Sequence, residues 1–418
     1  MERRPPLLLK NVLLLGGRIA DIAIVDGKVG HIGAGQGADS LIDCTGLLVL
    51  PAAVDMHVHM RGGEQSVKED WESGSKSALA GGVTVVVDQP NTLPPLTTPA
   101  LFSARVHEAQ QHSFCNFAVN SSVTPDTSLL AMWNSGAIAF GEIFCSSSSY
   151  SEAISGLELT RALEQIAGLG ALATIHAEEA SHGSDTDLIF HDALRSSEGE
   201  IRAVQAIRRC NPFGCRLHFC HMSTAQAIDA AAGTVEVTPH HLLLSREQFP
   251  QYDTQVKVNP PLRSEREQKD LWARWKRIDI IASDHAPHTV SEKRLPFPDA
   301  PSGIPGVETM VPLFLAEVLN GRITLPDLIL KTSQAPARLI GIPPAGFAPG
   351  NRGDFAIYPK TAVRIDPDML HSRCGWTPFE GRMAVFPSIV IRDGAVAYRK
   401  GEFFRHEPVW FAGKGYVS

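Results

Sequence analysis

Short apolar runs alternate along this chain with segments whose apolar positions recur at helical spacing. The first long run, Leu47-Leu48-Val49-Leu50-Pro51-Ala52-Ala53-Val54, reads as a buried strand that continues to His59. Further strand-like runs cover Val83–Asp88, Phe114–Val123, Ala137–Phe144, Ala171–Ala177, Arg216–Met222, Val235–His241 and Ile278–His285. Between them, Glu69–Ala80, Pro99–His112, Glu152–Leu169, Gly199–Cys210 and Thr224–Ala232 have helical character. Strands that alternate with helices in this way predict an α/β fold, a (β/α)8 TIM-like barrel over residues 50–345. The ends read differently. Turns at Gly16-Gly17, Asp26-Gly27 and Gly33, and again at Gly350, Gly353, Asp393-Gly394 and Gly401, punctuate short strands. Residues 1–49 and 346–418 are therefore expected to meet as one small β domain beside the barrel.

Composition narrows the class. The chain has 418 residues, 44% hydrophobic and 20% charged, as an ordinary globular protein does. A net charge of −7 argues against a general nucleic-acid surface. No apolar run reaches the roughly 18–20 residues that a membrane span needs. The apolar start, Leu7-Leu8-Leu9, is interrupted by Lys10 and Asn11 and lacks a small-residue cleavage site, so a cytoplasmic protein is expected. The seven cysteines include no CxxC pair and read as small core residues.

Candidate chemistry gathers at the strand ends. In Asp55-Met56-His57-Val58-His59-Met60-Arg61, His57 and His59 share one face of a strand while Val58 points away. Taken alone, such a pair is more often two satisfied histidines than half of a metal site. Here Glu142, His176, His221 and Asp284 fall near the carboxyl ends of four later strands. Barrel active sites lie on that rim, so five segments aim imidazole or carboxylate groups at one place. Four histidines and two carboxylates suffice to hold two divalent cations.

The motifs Asp55–Arg61, Lys68-Glu69-Asp70, Gln89-Pro90-Asn91-Thr92, Ile175-His176-Ala177-Glu178, Thr238-Pro239-His240-His241, Asn259-Pro260-Pro261-Leu262-Arg263 and Ala282–His288 resemble, in order and content, those of the amidohydrolase superfamily and, within it, the dihydroorotase family. The resemblance spans the barrel and reaches Ala300–Thr309 and Thr377–Gly381. It implies one zinc ion on His57, His59 and Asp284 and a second on His176 and His221. The family's usual bridge between them is a carboxylated lysine or, in some dihydroorotases, an aspartate. This chain departs from that pattern, because no lysine occurs between Lys76 and Lys257. Glu142 stands at the bridging position, and the expectation is that its carboxylate joins the two metals directly. The alternative is a one-metal site with Glu142 turned toward a helix.

The resemblance further implies that Asp284 is the catalytic general base and acid. Arg61, Asn91 and His288 would bind a substrate carboxylate, with Asn259 and Gly303 near the ring. An arginine fork suits a carboxylate, whereas the bland readings are a surface ion pair for Arg61 and a turn residue for Asn91. The implied activity is reversible cyclisation of N-carbamoyl-L-aspartate to dihydroorotate in pyrimidine (UMP) synthesis. Implied associations are between copies of the chain or with aspartate carbamoyltransferase. Two other readings stay open. One is a dihydropyrimidinase, hydantoinase or allantoinase, for which Tyr150 is a candidate tyrosine. The other is a barrel that has lost catalysis and serves as a scaffold.

Overall fold

The computed structural model describes residues 6–33, 38, 40–145 and 153–417; Tyr150 lies outside the described residues. Eight parallel strands form the barrel: β1 (Ala53–Val58), β2 (Val83–Asp88), β3 (Asn116–Val119), β4 (Phe140–Phe144), β5 (Leu172–His176), β6 (Arg216–Phe219), β7 (Thr234–Val237) and β8 (Ile280–Ile281). Ladders run β1-β2-β3 and β4-β5-β6-β7-β8. Single parallel bridges, Ser121 to Phe140 and Val58 to His285, close the ring between the two arcs. The strands are short and buried on both faces, as parallel strands covered by helices must be.

The run at residues 47–54 is not one strand. Leu48–Pro51 pairs antiparallel with Phe355–Tyr358, and after Ala52 the chain re-enters as β1 beside β2. A continuous apolar stretch thus serves two sheets, which hydrophobicity alone does not separate. The sheet holding Leu48–Pro51 continues through Phe355–Tyr358, Ile389–Arg392, Ala395–Arg399 and Glu402–Phe403. A second sheet holds Leu7–Leu13, Ile19–Val25, Lys28–Gly33 and Ser40–Asp43. The two share an apolar core in which Leu9, Ile22 and Ile24 meet Val49, Phe355 and Ile391. Both chain ends thus contribute to one small β domain of two sheets beside the barrel.

Local chemistry sets where helices begin. Asp70 accepts the Ser73 amide hydrogen at 2.9 Å while Ser73 Oγ accepts that of Asp70 at 3.3 Å, a capping box that starts the helix Trp71–Ala80. Thr98 caps Pro99–His112, with Pro99 in the first turn. The expected strand Val235–His241 is corrected in the same way. It ends at Val237, because Thr238 caps a short helix Pro239–Leu243 that carries His240 and His241. The expected strand Ile278–His285 shrinks to Ile280–Ile281. Beyond it the Ser283 amide leaves the ladder and donates to the Asp55 carboxylate at 3.1 Å.

Candidate metal centre and substrate pocket

His57 and Glu142 stand inside their strands, and the other candidate ligands stand at or just past the ends of theirs. His57 lies within β1, and His59 follows it, pinned by its amide to the His285 carbonyl at 2.8 Å. His176 ends β5, while His221 and Asp284 sit beyond β6 and β8 with φ of 32° and 46°. Arg61 has φ of 49°. Non-glycine residues are rarely found in this left-handed region, and they cluster at sites where the backbone is held for function. Arg61 is held by Arg105, which donates to the Arg61 carbonyl at 2.6 Å and pairs with the buried Asp88 at 2.8 Å.

Glu142 does not face a helix. Its side chain is buried between both histidine groups. Oε1 lies 2.6 Å from His221 Nε2 and 2.8 Å from His176 Nδ1, and those two nitrogens are 3.1 Å apart. Oε2 lies 3.4 Å from His57 Nε2. On that side Asp284 Oδ1 is 3.5 Å from His57 Nε2 and 3.3 Å from His59 Nε2. One carboxylate therefore offers an oxygen to each half of the cluster.

The distal ring nitrogens fix which lone pairs face inward. His57 Nδ1 meets Glu236 Oε1 at 3.2 Å, and His176 Nε2 meets Glu178 Oε2 at 3.2 Å. A carboxylate accepts only, so each of these nitrogens carries a proton, and the other ring nitrogen is the one that could give its lone pair to a cation in place of a proton. Among the described residues His57 Nε2 is buried without a hydrogen-bond partner, although two carboxylate oxygens approach it. Converging imidazole and carboxylate donors, one of them orphaned and all of them buried, fit divalent cations. The sets His57, His59, Asp284 and His57, Glu142, His221 are each compact enough to hold one.

Electrostatics agree with this. Burial opposes charge on Glu142, yet His57, His176 and His221 hold its carboxyl well below the usual range. Burial likewise opposes charge on Asp284, and His57, His59 and His221 together keep it below its ordinary value. Burial disfavours a proton on His176, but Glu142 and Glu178 raise it to about 9. Cation-like charge on imidazoles thus balances the carboxylates where metal would sit.

A small pocket opens above the cluster. It is lined by all of Arg61, Asn91, Asn259, His288 and Gly303, together with His59, Glu142, His176, His221 and Asp284. The Oδ1 atoms of Asn91 and Asn259 are buried and have no hydrogen-bond partner among the described residues. Gly303 has φ of +145°, and a Cβ there would lie 2.4 Å from the Ala286 carbonyl oxygen, so only glycine lets this wall approach. Phe144 stacks on His176 with ring centroids 4.6 Å apart and forms one side of the pocket. At the far end Arg61 Nη2 lies 3.4 Å from His288 Nε2. Lys68 donates to His288 Nδ1 at 3.3 Å, so the ring proton is on Nε2, toward the Ser302 carbonyl at 3.1 Å. Burial, reinforced by Arg61, Lys293 and Lys68, pushes His288 down to about 3 against the pull of Glu292.

Sequence reasoning missed Glu236, Glu178 and Lys68 as parts of this site. Glu236 did carry a signal, since it is a lone charge between Val235 and Val237 in an apolar strand. Asp55 accepts the backbone amides of His57 and Ser283 at 3.2 and 3.1 Å.

The amidohydrolase family model matches residues 48–369, most of the chain. The chain belongs to the amidohydrolase family. Among its relatives, the dihydroorotase of Methanosarcina acetivorans is 39% identical, the match covering 94% of this chain and 92% of that protein. The dihydroorotase of Halobacterium salinarum is 36% identical over 94% of this chain and 96% of its own length. Among solved structures, the L-hydantoinase (dihydropyrimidinase) of Arthrobacter aurescens superposes with a TM-score of 0.89 at 26% identity, covering 97% of this chain and 98% of that one. The barrel with a separate small β domain is thus the amidohydrolase architecture. No helix among the described residues is long and apolar enough to cross a membrane.

Proposed function

We propose that this amidohydrolase is a dihydroorotase that interconverts N-carbamoyl-L-aspartate and dihydroorotate in the cytoplasm. The observation that carries the reading is the arrangement of the pocket. One end is the histidine–carboxylate cluster, and the other presents the Arg61 guanidinium beside a His288 that burial holds uncharged. A guanidinium suits a free carboxylate, which dihydroorotate has and dihydrouracil lacks. Full-length relatives named dihydroorotase support the same choice.

We read the metal as zinc, two per chain, with His57, His59 and Asp284 on one side of Glu142 and His176 and His221 on the other. So held, the ions would supply activated water at neutral pH and polarise the ring amide. Arg61, Asn91 and His288 grip the substrate carboxylate and set the ring against the cluster. Asn259 and the Gly303 loop close over the ring. Asp284, kept ionised by the surrounding imidazoles, takes the proton from the attacking water and returns it to the departing ring nitrogen. In the reverse direction, closure consumes a carboxylate and a proton, so lower pH favours the ring.

Steady-state kinetics of zinc-loaded protein with dihydroorotate, dihydrouracil and hydantoin test this. Dihydroorotate is expected to be turned over far better than either uncharged ring. Turnover of dihydrouracil or hydantoin without dihydroorotate would establish the hydantoinase reading, which the fold of the Arthrobacter aurescens enzyme favours. Absence of all turnover by metal-loaded protein would leave the scaffold. Gel filtration, alone and with an aspartate carbamoyltransferase, tests the association implied by the resemblance.

A further inference from the structure

Beneath the cluster, on the side away from the pocket, lies a carboxylate that the chemistry above does not use. Glu236 sits in the middle of β7 and is fully buried. Its Oε1 accepts from two places at once, His57 Nδ1 at 3.2 Å and the backbone amide of His221 at 3.1 Å. Its Oε2 is 3.0 Å from His218 Nε2, and His218 Nδ1 is in turn 2.9 Å from Thr234 Oγ1. Strands β1, β6 and β7 are thus tied together through one side chain.

We infer that Glu236 is the positioning residue that sets both halves of the metal centre. Two consequences of its bonds support this. As an acceptor it forces the His57 proton onto Nδ1, which leaves the Nε2 lone pair toward Glu142 and Asp284. The opposite tautomer would turn an N–H on the metal, and the negative charge behind the Nδ1–H makes Nε2 a stronger donor to a cation than a neutral side chain in the same place would. Its second bond holds the His221 amide where that residue adopts φ of 32°, a conformation with little intrinsic preference for a histidine. That placement brings His221 Nε2 to Glu142 and His176. His57 belongs to one half and His221 to the other, so one carboxylate oxygen registers the two halves against each other. The His218–Thr234 pair anchors the opposite oxygen and keeps Oε1 from swinging away.

Glu236→Gln separates this role from a structural one. The glutamine is close to isosteric, and its amide oxygen can still accept from His57 and His221. Its NH2 can donate to His218 once that ring shifts its proton to Nδ1 and donates to Thr234. The fold keeps its hydrogen bonds, while the negative charge behind His57 is lost. The inference rests on reading the site as a metal centre and not on the identity of the substrate, so the test uses cobalt(II) alone.

Titration of metal-free wild-type and E236Q protein with cobalt(II), followed by visible absorption, is expected to show affinity weakened roughly 10–100-fold for at least one ion. The ligand-field bands of the bound cobalt should change, and the melting temperature of the metal-free protein should stay as in the wild type. Unchanged cobalt affinity and bands would overturn the inference. So would a loss of metal-free stability with cobalt binding intact, because that is the signature of a packing role. If metal-free E236Q does not fold, Glu236→Asp, which keeps the charge on a shorter arm, is judged by the same affinity and spectrum. Failure of the wild type to bind cobalt would instead remove the metal reading itself.

Discussion

At the scale of single residues, Arg61 shows what sequence position conveys and what it does not. Its spacing from His59 places it beside the cluster, and the structure lines the pocket with it. The sequence does not convey that its backbone is turned to φ of 49° and held by Arg105, which comes from a helix 44 residues later. Arg61→Met keeps much of the length and removes the charged fork. Hydrogen bonds to charged groups contribute about 1.5–3 kcal/mol, so kcat/KM for dihydroorotate should fall roughly 10–100-fold, mostly through KM. Turnover of an uncharged ring should change little. Equal losses on both substrates would argue that Arg61 serves the fold and not the carboxylate. Glu236 was hidden for a related reason: a buried carboxylate in a strand looks like an exception to the apolar pattern until its histidine partner, far along the chain, is known.

At the scale of elements, the chain's periodicity located the barrel strands but overran several of their ends. The excess is where function lies. Expected strands that reach His221, His241 and Asp284 in fact stop at Phe219, Val237 and Ile281. The remaining residues turn out of the ladder, held by side-chain caps and carboxylates that apolar patterning does not register. Within β4, Gly141 shows how tightly an element constrains a ligand. It has φ of +121°, and a Cβ there would stand 2.1 Å from the Thr174 carbonyl oxygen of the neighbouring strand. Gly141→Ala must displace either β5 or the adjoining Glu142. Strain of this kind costs about 1–3 kcal/mol, so the melting temperature should fall by several degrees and bound metal should fall with it. Wild-type melting and full metal content in Gly141→Ala would refute this account of β4.

At the scale of the whole molecule, the pocket's far wall is assembled from segments that follow β1 and β8, and it couples substrate binding to stability. His288 in the folded chain titrates near 3, depressed by burial and by Arg61, Lys293 and Lys68. In the unfolded chain an ordinary histidine titrates near 6.5. Below that value the unfolded state takes up a proton that the folded state refuses, so stability is full above pH 6.5 and declines as pH falls toward 3. The slope from this one group approaches about 1.4 kcal/mol per pH unit. Melting curves of metal-free protein between pH 7 and 4 should therefore be shallower for His288→Gln than for the wild type. Identical slopes would show that His288 is not held neutral.

The meeting of the two chain ends in one small β domain was foreseen from turn spacing. The split of residues 47–54 between two sheets was not, because one apolar run satisfies both. The largest departure from the family pattern is the glutamate at the centre of the site, and the account rests on it. The direct test is a crystal structure of the zinc-loaded protein with anomalous difference density collected at the zinc edge. Two peaks on opposite sides of the Glu142 carboxylate are predicted, one beside His57, His59 and Asp284 and the other beside His176 and His221. A single peak, with the Glu142 side chain withdrawn from it, would contradict the bridge.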